Sequence, residues 1–319
     1  MAATLKEIAD VSGTSVRSVT RALKGQPGLS ADKRVAIVQI AKDLGYVPNI
    51  AARNLRMRQS NFVGIVVPVV QYEVHQRRLA DLQTRLEAEG MFPLMGNLCK
   101  PKELHQMLRE WTGIVNTVIF LSWDGALNSE SLLKDFNQNY IFIDCAGGIN
   151  QRDIIISVDR QAGIKQGIAQ LVASGHQRIA YCGYNMPNRM SGFNSALETV
   201  SSDKAEKLFI ATKQSDFADG YQVAPEIIQS QADAVFFITD RLAMGFLKYA
   251  YEHNIRIPDD IAVIGFDDDQ PGRYSCPALS SVAHPISEIN EKIIELIVTK
   301  ELTTKKFSYK TVYNQRESS

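Results

Sequence analysis

The sequence predicts an α/β protein: a small three-helix helix-turn-helix head over residues 1–48, and a two-lobed, doubly wound parallel-sheet body over residues 62–319. Residues 49–61 join the two as a hinge or linker. Three observations carry this expectation. The chain has 319 residues, more than one ordinary core accommodates. Its charge is zero overall but unevenly placed: residues 1–60 hold ten Lys/Arg against four Asp/Glu, so the rest has a balancing acidic excess. From Phe62 onward, short β-branched or aromatic runs alternate with amphipathic helical stretches, the rhythm of parallel sheets covered by helices.

The uneven charge is that of a chain whose first segment approaches a polyanion while the remainder does not. Cys99, Cys145, Cys182 and Cys276 form no Cys-x-x-Cys pair and have no histidine at metal-ligand spacing, so they read as buried thiols in a reducing compartment. Lys6, Glu7 and Asp10 interrupt the N-terminus before a signal peptide could form, and the apolar run from Phe62 to Val70 is too short to cross a bilayer. The expectation is a cytoplasmic protein without membrane association, metal or cofactor.

In the head, Leu5, Ile8 and Ala9 recur at helical spacing, and Gly13 stands where that helix needs a sharp stop. Ser15 caps a second helix in which Val19 and Leu23 face inward and Arg17 and Arg21, one turn apart, face outward. Gly25 and Pro27–Gly28 break the chain. Ser30 then caps a third helix with Asp32 in its first turn, an inner stripe of Val35, Val38, Ala41 and Leu44, and an end at Gly45. A glycine turn between two short helices is the helix-turn-helix pattern, whose second helix fits the DNA major groove. Arg17 and Arg21 are suited to guanine O6 and N7, and Val16 to a thymine methyl. Ser15, Thr20 and backbone amides at the helix start are suited to phosphates, with Thr14 and Ser18 beside them. A plain helical hairpin with solvated arginines is the competing reading.

The string from Leu5 to Gly25, LKEIADVSGTSVRSVTRALKG, followed by Leu44-Gly-Tyr-Val-Pro-Asn49, resembles the head of the LacI/GalR family of transcription regulators. By matching position, that family's base readers fall on Val16, Arg17 and Arg21. Pro48 and Asn49 begin the joining segment with an extended residue and a possible N-cap, and Ala52, Arg53, Leu55 and Arg56 are adequate helix formers with basic flanks. Alone, so short a helix is unstable. The resemblance implies that it folds on DNA, pairs with its twin in the minor groove and wedges Leu55 into a central base step, kinking the duplex. A flexible basic linker is the alternative.

In the body, the strand candidates are Phe62–Val67, Thr117–Leu121, Tyr140–Asp144, Arg178–Cys182, Ala234–Ile238 and Ile261–Phe266. Helical stretches include Leu79–Glu89, Ala162–Ala173, Arg241–Glu252 and Ser287–Val298. Ligands of open α/β sheets sit beyond the carboxyl ends of strands, so Trp123, Asp144, Asp240 and Asp267 draw attention. Ser157–Gly163, Ser174–Ile179, Asp240–Gly245 and Ile257–Asp268 are also similar to strings of the LacI/GalR family, extending the resemblance over nearly the whole chain. It implies a core like that of periplasmic sugar-binding proteins, with a ligand cleft between lobes and dimerisation along one side.

On the same resemblance, Arg189, Asp240 and Asp267 take the places of ligand-facing residues, and a carboxylate with a guanidinium can grip adjacent sugar hydroxyls. Trp123 is suited to stack on a sugar face. The chain departs from the family where Tyr72-Glu73-Val74-His75 replaces a usual Asn-Pro-Phe-Phe, Thr239 a usual Asn and Cys145 a usual Arg. These changes weigh against an ordinary hexose.

The resemblance implies a homodimeric repressor of pseudopalindromic double-stranded operator DNA, governed by a small effector, expected to be a carbohydrate or related polar metabolite. An enzyme is the main rival class, but the sequence has no nucleophile elbow, zinc-protease motif, phosphate loop or dinucleotide fingerprint. A transport-type sugar-binding protein would fit the body alone; the basic head counts against it.

Overall fold

The computed structural model describes residues 3–46, 60–67, 73–97, 101–121, 133, 135–144, 153–200, 206–303 and 305–319. The chain divides into two compact units, Met1–Gln59 and Ser60–Ser319.

The first unit contains α1 (Leu5–Ser12), α2 (Val16–Leu23) and α3 (Ala31–Asp43). Thr4 opens α1 with a capping box: its hydroxyl accepts from the Glu7 amide at 3.2 Å, while the Glu7 carboxylate accepts from the Thr4 amide at 2.7 Å. Gly13 closes α1 at φ 60°, a left-handed conformation that a side chain would strain. Ser15 caps α2 by accepting from the Ser18 amide. The three helices close over Ile8, Ala9, Val19, Ala22, Ile37 and Ala41.

One expectation for the head is corrected. Val35 and Leu44 are exposed and Val38 half-buried, so the inner face of α3 is formed by Ile37 and Ala41 with Ile40 beside them. The segment carries two overlapping apolar stripes, and helical spacing alone does not choose between them; packing against Ile8 and Val19 does.

The second unit holds β1 (Phe62–Val67), α4 (Glu73–Ala88), β2 (Phe92–Asn97), α5 (Pro101–Glu110), β3 (Val115–Leu121), β4 (Asn139–Ile143) and β5 (Ile154–Asp159). There follow α6 (Arg160–Ala173), β6 (Arg178–Cys182), α7 (Pro187–Val200), β7 (Glu206–Ile210), α8 (Phe217–Gln229), β8 (Ala234–Phe237), α9 (Asp240–Glu252) and β9 (Ala262–Asp267). The unit ends with α10 (Gln270–Arg273), β10 (Ser280–Ala283), α11 (Ile286–Thr299), β11 (Lys305–Lys310) and β12 (Val312–Asn314).

Two six-stranded sheets result, in the orders β11-β5-β4-β3-β1-β2 and β12-β10-β9-β8-β6-β7. Among the described residues every strand pairing is parallel except β10 with β12. Each sheet has its own core. The second sheet's core includes Tyr181, Phe193, Phe236, Phe246 and Phe266, while the first is packed on its two faces by separate clusters around Ile141 and Phe120. Cys182 is buried in the second core, but Cys276 is exposed, against the expectation for the thiols; Cys99 and Cys145 lie outside the described residues.

The chain passes between sheets three times: at Asp159–Arg160, at His284–Pro285, and at Thr311. Thr311 ties the first and third passages together. Its amide donates to the Asp159 carbonyl at 3.0 Å, and its hydroxyl accepts from the Gly163 amide at 3.0 Å. A parallel two-lobed body therefore has its carboxyl strand ends, from both sheets, gathered at one seam.

Candidate functional site

In the head, the residues expected to read DNA lie together on and just before α2. Val16 and Arg17 are exposed and Arg21 is half-buried, while Val19 and Ala22 occupy the opposite, buried face. Arg21 lies over the turn that follows: a Cβ added at Gly28, itself at φ 105°, would stand 3.2 Å from Arg21 Nη1. The hydroxyls are already engaged locally. Thr14 is 2.8 Å from Ser12 Oγ, Ser15 and Ser18 are 3.1 Å apart, and Thr20 donates to the Val16 carbonyl at 2.8 Å. Thr20 thus has lone pairs but no free proton to offer a phosphate unless that bond exchanges. Asn49, Ala52, Arg53, Leu55 and Arg56 lie outside the described residues.

In the body, the seam between the lobes gathers Arg78 from α4, Asp144 after β4, Arg189 from α7, Asp267 at the end of β9, and His284 at the second passage. Arg189 Nη2 donates to Asp267 Oδ1 at 2.9 Å, and its guanidinium carbon lies 3.9 Å above the Phe266 ring centre. His284 Nε2 stands 3.3 Å from the same Asp267 oxygen. Burial opposes ionisation of Asp267, but Arg189 and His284 outweigh it and hold the carboxyl below the usual aspartate range. Asp267 also has φ 106°, an uncommon backbone state for a residue with a side chain.

Asp144 accepts from Arg160 Nη2 at 2.8 Å and from the Val158 amide at 3.0 Å. The Arg160 guanidinium thereby supplies a cationic partner for the acid at a different position from Cys145. Across the seam, Arg77 Nη2 donates to the Asp267 carbonyl at 2.6 Å, and Glu73 accepts from the Gln270 amide at 2.7 Å. These contacts join α4 of the first lobe to the loop after β9 of the second.

Asp240 departs from its expected place as a ligand-facing acid. It is 1% exposed and directed beneath the loop, where Oδ1 accepts from Ser281 Oγ at 2.6 Å and Oδ2 from the Asp269 amide at 2.7 Å. The approach requires Gly265, because a Cβ there would fall 2.0 Å from Asp240 Oδ1. Burial, followed by the charges of Asp267 and Asp269, pushes its carboxyl well above the ordinary range, despite the Ser281 bond. The side chain is a strut for residues 267–269. Of the other loop acids, Asp268 is paired with Arg316 and Arg273, each at 2.5 Å. Asp269 is raised to about 7 by burial and by Asp267 and Glu73. Tyr72 and Trp123 lie outside the described residues.

Sequence reasoning missed Arg78. The buried residues of α4 are Val74, Arg78, Leu82 and Leu86, a stripe at four-residue spacing, and Arg78 occupies an apolar position in it while only 1% exposed. An arginine interrupting such a stripe was the available signal. His75 and His284 are also part of this seam. Burial is the leading cause that lowers each imidazole to about 4.

Residues 4–49 match the model of bacterial regulatory proteins, lacI family, and residues 168–310 that of the periplasmic binding protein-like domain. The chain belongs to the LacI family of DNA-binding transcription regulators. This LacI-family chain is 27% identical to the HTH-type transcriptional regulator GntR of Pseudomonas aeruginosa over 316 residues, covering 94% of this chain and 90% of that protein. It is 25% identical to the HTH-type transcriptional repressor PurR of Mannheimia succiniciproducens over 308 residues, covering 92% and 91%. Its fold matches a crystal structure of the lac repressor dimer bound to operator and the anti-inducer ONPF with TM-score 0.83 at 18% identity, covering 100% of this chain and 99% of that one. No described helix of this LacI-family protein is long and apolar enough to cross a membrane.

Proposed function

We propose that this LacI-family regulator is a cytoplasmic homodimeric repressor whose affinity for a pseudopalindromic operator is set by a small ligand bound between the two lobes of residues 62–319. The observation that carries the reading is the juxtaposition, at the carboxyl strand ends of both sheets, of the ligand-competent groups Asp144, Arg189 and Asp267 with the interlobe bonds from Glu73 and Arg77. A ligand seated there touches both lobes, so it acts on the equilibrium between their arrangements in proportion to its preference for one of them.

Val16, Arg17 and Arg21 are the proposed base readers, with Thr14, Ser15, Ser18 and Thr20 near the backbone. Two heads are needed because one recognition helix spans too few base pairs to find a site among genomic competitors. Residues 49–61 are the proposed hinge, with Asn49, Ala52, Arg53 and Arg56 near the minor-groove backbone and Leu55 as a wedge. The relative named as a repressor and the lac repressor dimer seated on operator support this reading.

The test is selection of bound duplexes from a random pool by the full-length protein at near-physiological salt, because phosphate contacts make affinity salt-dependent. An enriched inverted repeat is expected. An enriched single half-site would overturn the dimeric reading, and no enrichment with or without cell metabolites would overturn sequence-specific repression.

A further inference from the structure

We propose that the cleft ligand is an anionic polyol, a sugar-like molecule bearing a carboxylate or phosphate, and that Arg78 receives its negative charge. The inference rests on the reading of the interlobe seam as the effector site. It starts from an imbalance among buried groups. Arg78 is 1% exposed, and among the described residues its Nε and Nη2 find no hydrogen-bond partner. Arg189, 6% exposed, uses Nη2 for Asp267 but leaves Nε and Nη1 unbonded.

Nearby acids are already committed. Asp144 lies within electrostatic reach of Arg78, but its carboxylate is engaged by Arg160 at 2.8 Å and by the Val158 amide. Asp267 is held by Arg189 and approached by His284. Among the described residues Arg160 and Arg189 are each ion-paired with an acid of the seam, Asp144 and Asp267, whereas Arg78 has no ion pair. His75 and His284 do not supply the missing negative charge, and both are electrostatically coupled to Arg78 and Asp267.

A guanidinium stays protonated even when buried, and a buried charge without a partner is costly. Neutral sugar hydroxyls solvate such a group only weakly, whereas a carboxylate or phosphate matches its planar donors in bidentate fashion and neutralises it. The unbonded Nε and Nη1 of Arg189 serve the hydroxyls. The substitution of an arginine into the apolar stripe of α4 has a function under this reading that helix packing does not give it.

The experiment is calorimetric and thermal-shift titration of the full-length protein and of Arg78→Met, which preserves length and removes charge. The probes are D-glucose, D-galactose and D-fructose, their acids D-gluconate, D-glucuronate and D-galacturonate, the phosphates glucose 6-phosphate and fructose 6-phosphate, and inorganic phosphate. At least one anionic probe is expected to bind the wild type tenfold or more tightly than its neutral parent, and to lose tenfold or more in Arg78→Met. The acid and phosphate arms distinguish the two anions. The melting temperature of ligand-free Arg78→Met is expected to equal or exceed that of the wild type, which separates lost binding from lost folding.

Equal responses of wild type and variant to every probe, or tighter binding of neutral sugars than of anions, would overturn the proposal. A neutral sugar that shifts operator affinity would do so while leaving the cleft-effector reading intact. Arg78-dependent anion binding with no change in operator affinity would keep the anion site and overturn the effector reading.

Discussion

Arg77 Nη2 donates to the backbone carbonyl of Asp267 at 2.6 Å, joining a helix of one lobe to a strand end of the other. The acceptor belongs to a residue held at φ 106°, whose own carboxylate is paired with Arg189. One bond therefore couples lobe closure to the geometry of the proposed ligand acid. Arg77→Ala is expected to lower stability by about 1.5 kcal/mol, the scale of a charge-assisted hydrogen bond. Small-angle scattering of the ligand-free variant is expected to give a larger radius of gyration. An unchanged radius would mean that the lobes are held together by other contacts.

Asp240 gives the second prediction. Its neutral form is favoured by burial, and asparagine can accept from the Asp269 amide and donate to Ser281, so Asp240→Asn is expected to retain most of the stability. Asp240→Ala leaves two buried partners without a bond and opens space beside Gly265, at a cost of roughly 2–4 kcal/mol. Denaturant melts of the two variants check this. Equal loss in both would show that the ionised carboxylate matters.

The head offers a third. Arg17 is exposed on the face of α2 opposite Val19. Arg17→Ala is expected to relax base preference at one position of each half-site, costing roughly 1–3 kcal/mol of discrimination. A uniform fall in affinity over all sequences, measured by competition binding, would instead make Arg17 a phosphate contact.

A fourth concerns acid. The His284 imidazole has a folded pKa of about 4, below the usual 6.5, so between these values the unfolded chain takes up the proton first. Its contribution to stability is complete above pH 6.5 and is lost as pH falls toward 4. Asp269, raised to about 7, acts in the opposite direction: the folded state holds its proton more tightly, so its contribution rises as pH falls from 7 toward 4. His75, also lowered to about 4 by burial, acts in the same direction as His284; the opposing contributions partly cancel in the wild type and are separated by substitution. Relative to wild type, His284→Gln is expected to lose less stability between pH 6.5 and 4.5, read by thermal melts without ligand. A parallel pH profile would remove His284 as the titrating group.

Much of the architecture was legible because it follows from local pattern. Gly13 and Ser15 mark the turn between α1 and α2, and the runs at β1, β3, β4, β6, β8 and β9 are continuous apolar strands of buried parallel sheets. The unexpected strands have physical reasons in part. β2 contains Pro93 and is an edge strand, as is β7; both alternate with polar or exposed residues, and β11 and β12 are short or charged. Ile154–Asp159 carries a β-branched run and was available to the same reasoning.

The site was legible as a set of residue types beyond strand ends, but not as a set of directions. Asp240 and Asp267 each follow a strand, yet Gly265 admits the Asp240 side chain inward while Asp267 turns to Arg189. That choice depends on contacts between residues 24 or more apart in the chain, which no local spacing encodes. Arg78 was hidden for the converse reason: a charged residue on a helix is ordinarily solvated, and only the packing of α4 places it inside.

The three passages between the lobes, two of them fastened by Thr311, have a mechanical consequence. Straps that are short and already ordered bend with little loss of chain freedom, because no loop has to be closed when the lobes approach. Under the proposed function such a joint is expected to act as a flexure, turning ligand binding at the seam into rotation of the lobes instead of reordering of the chain.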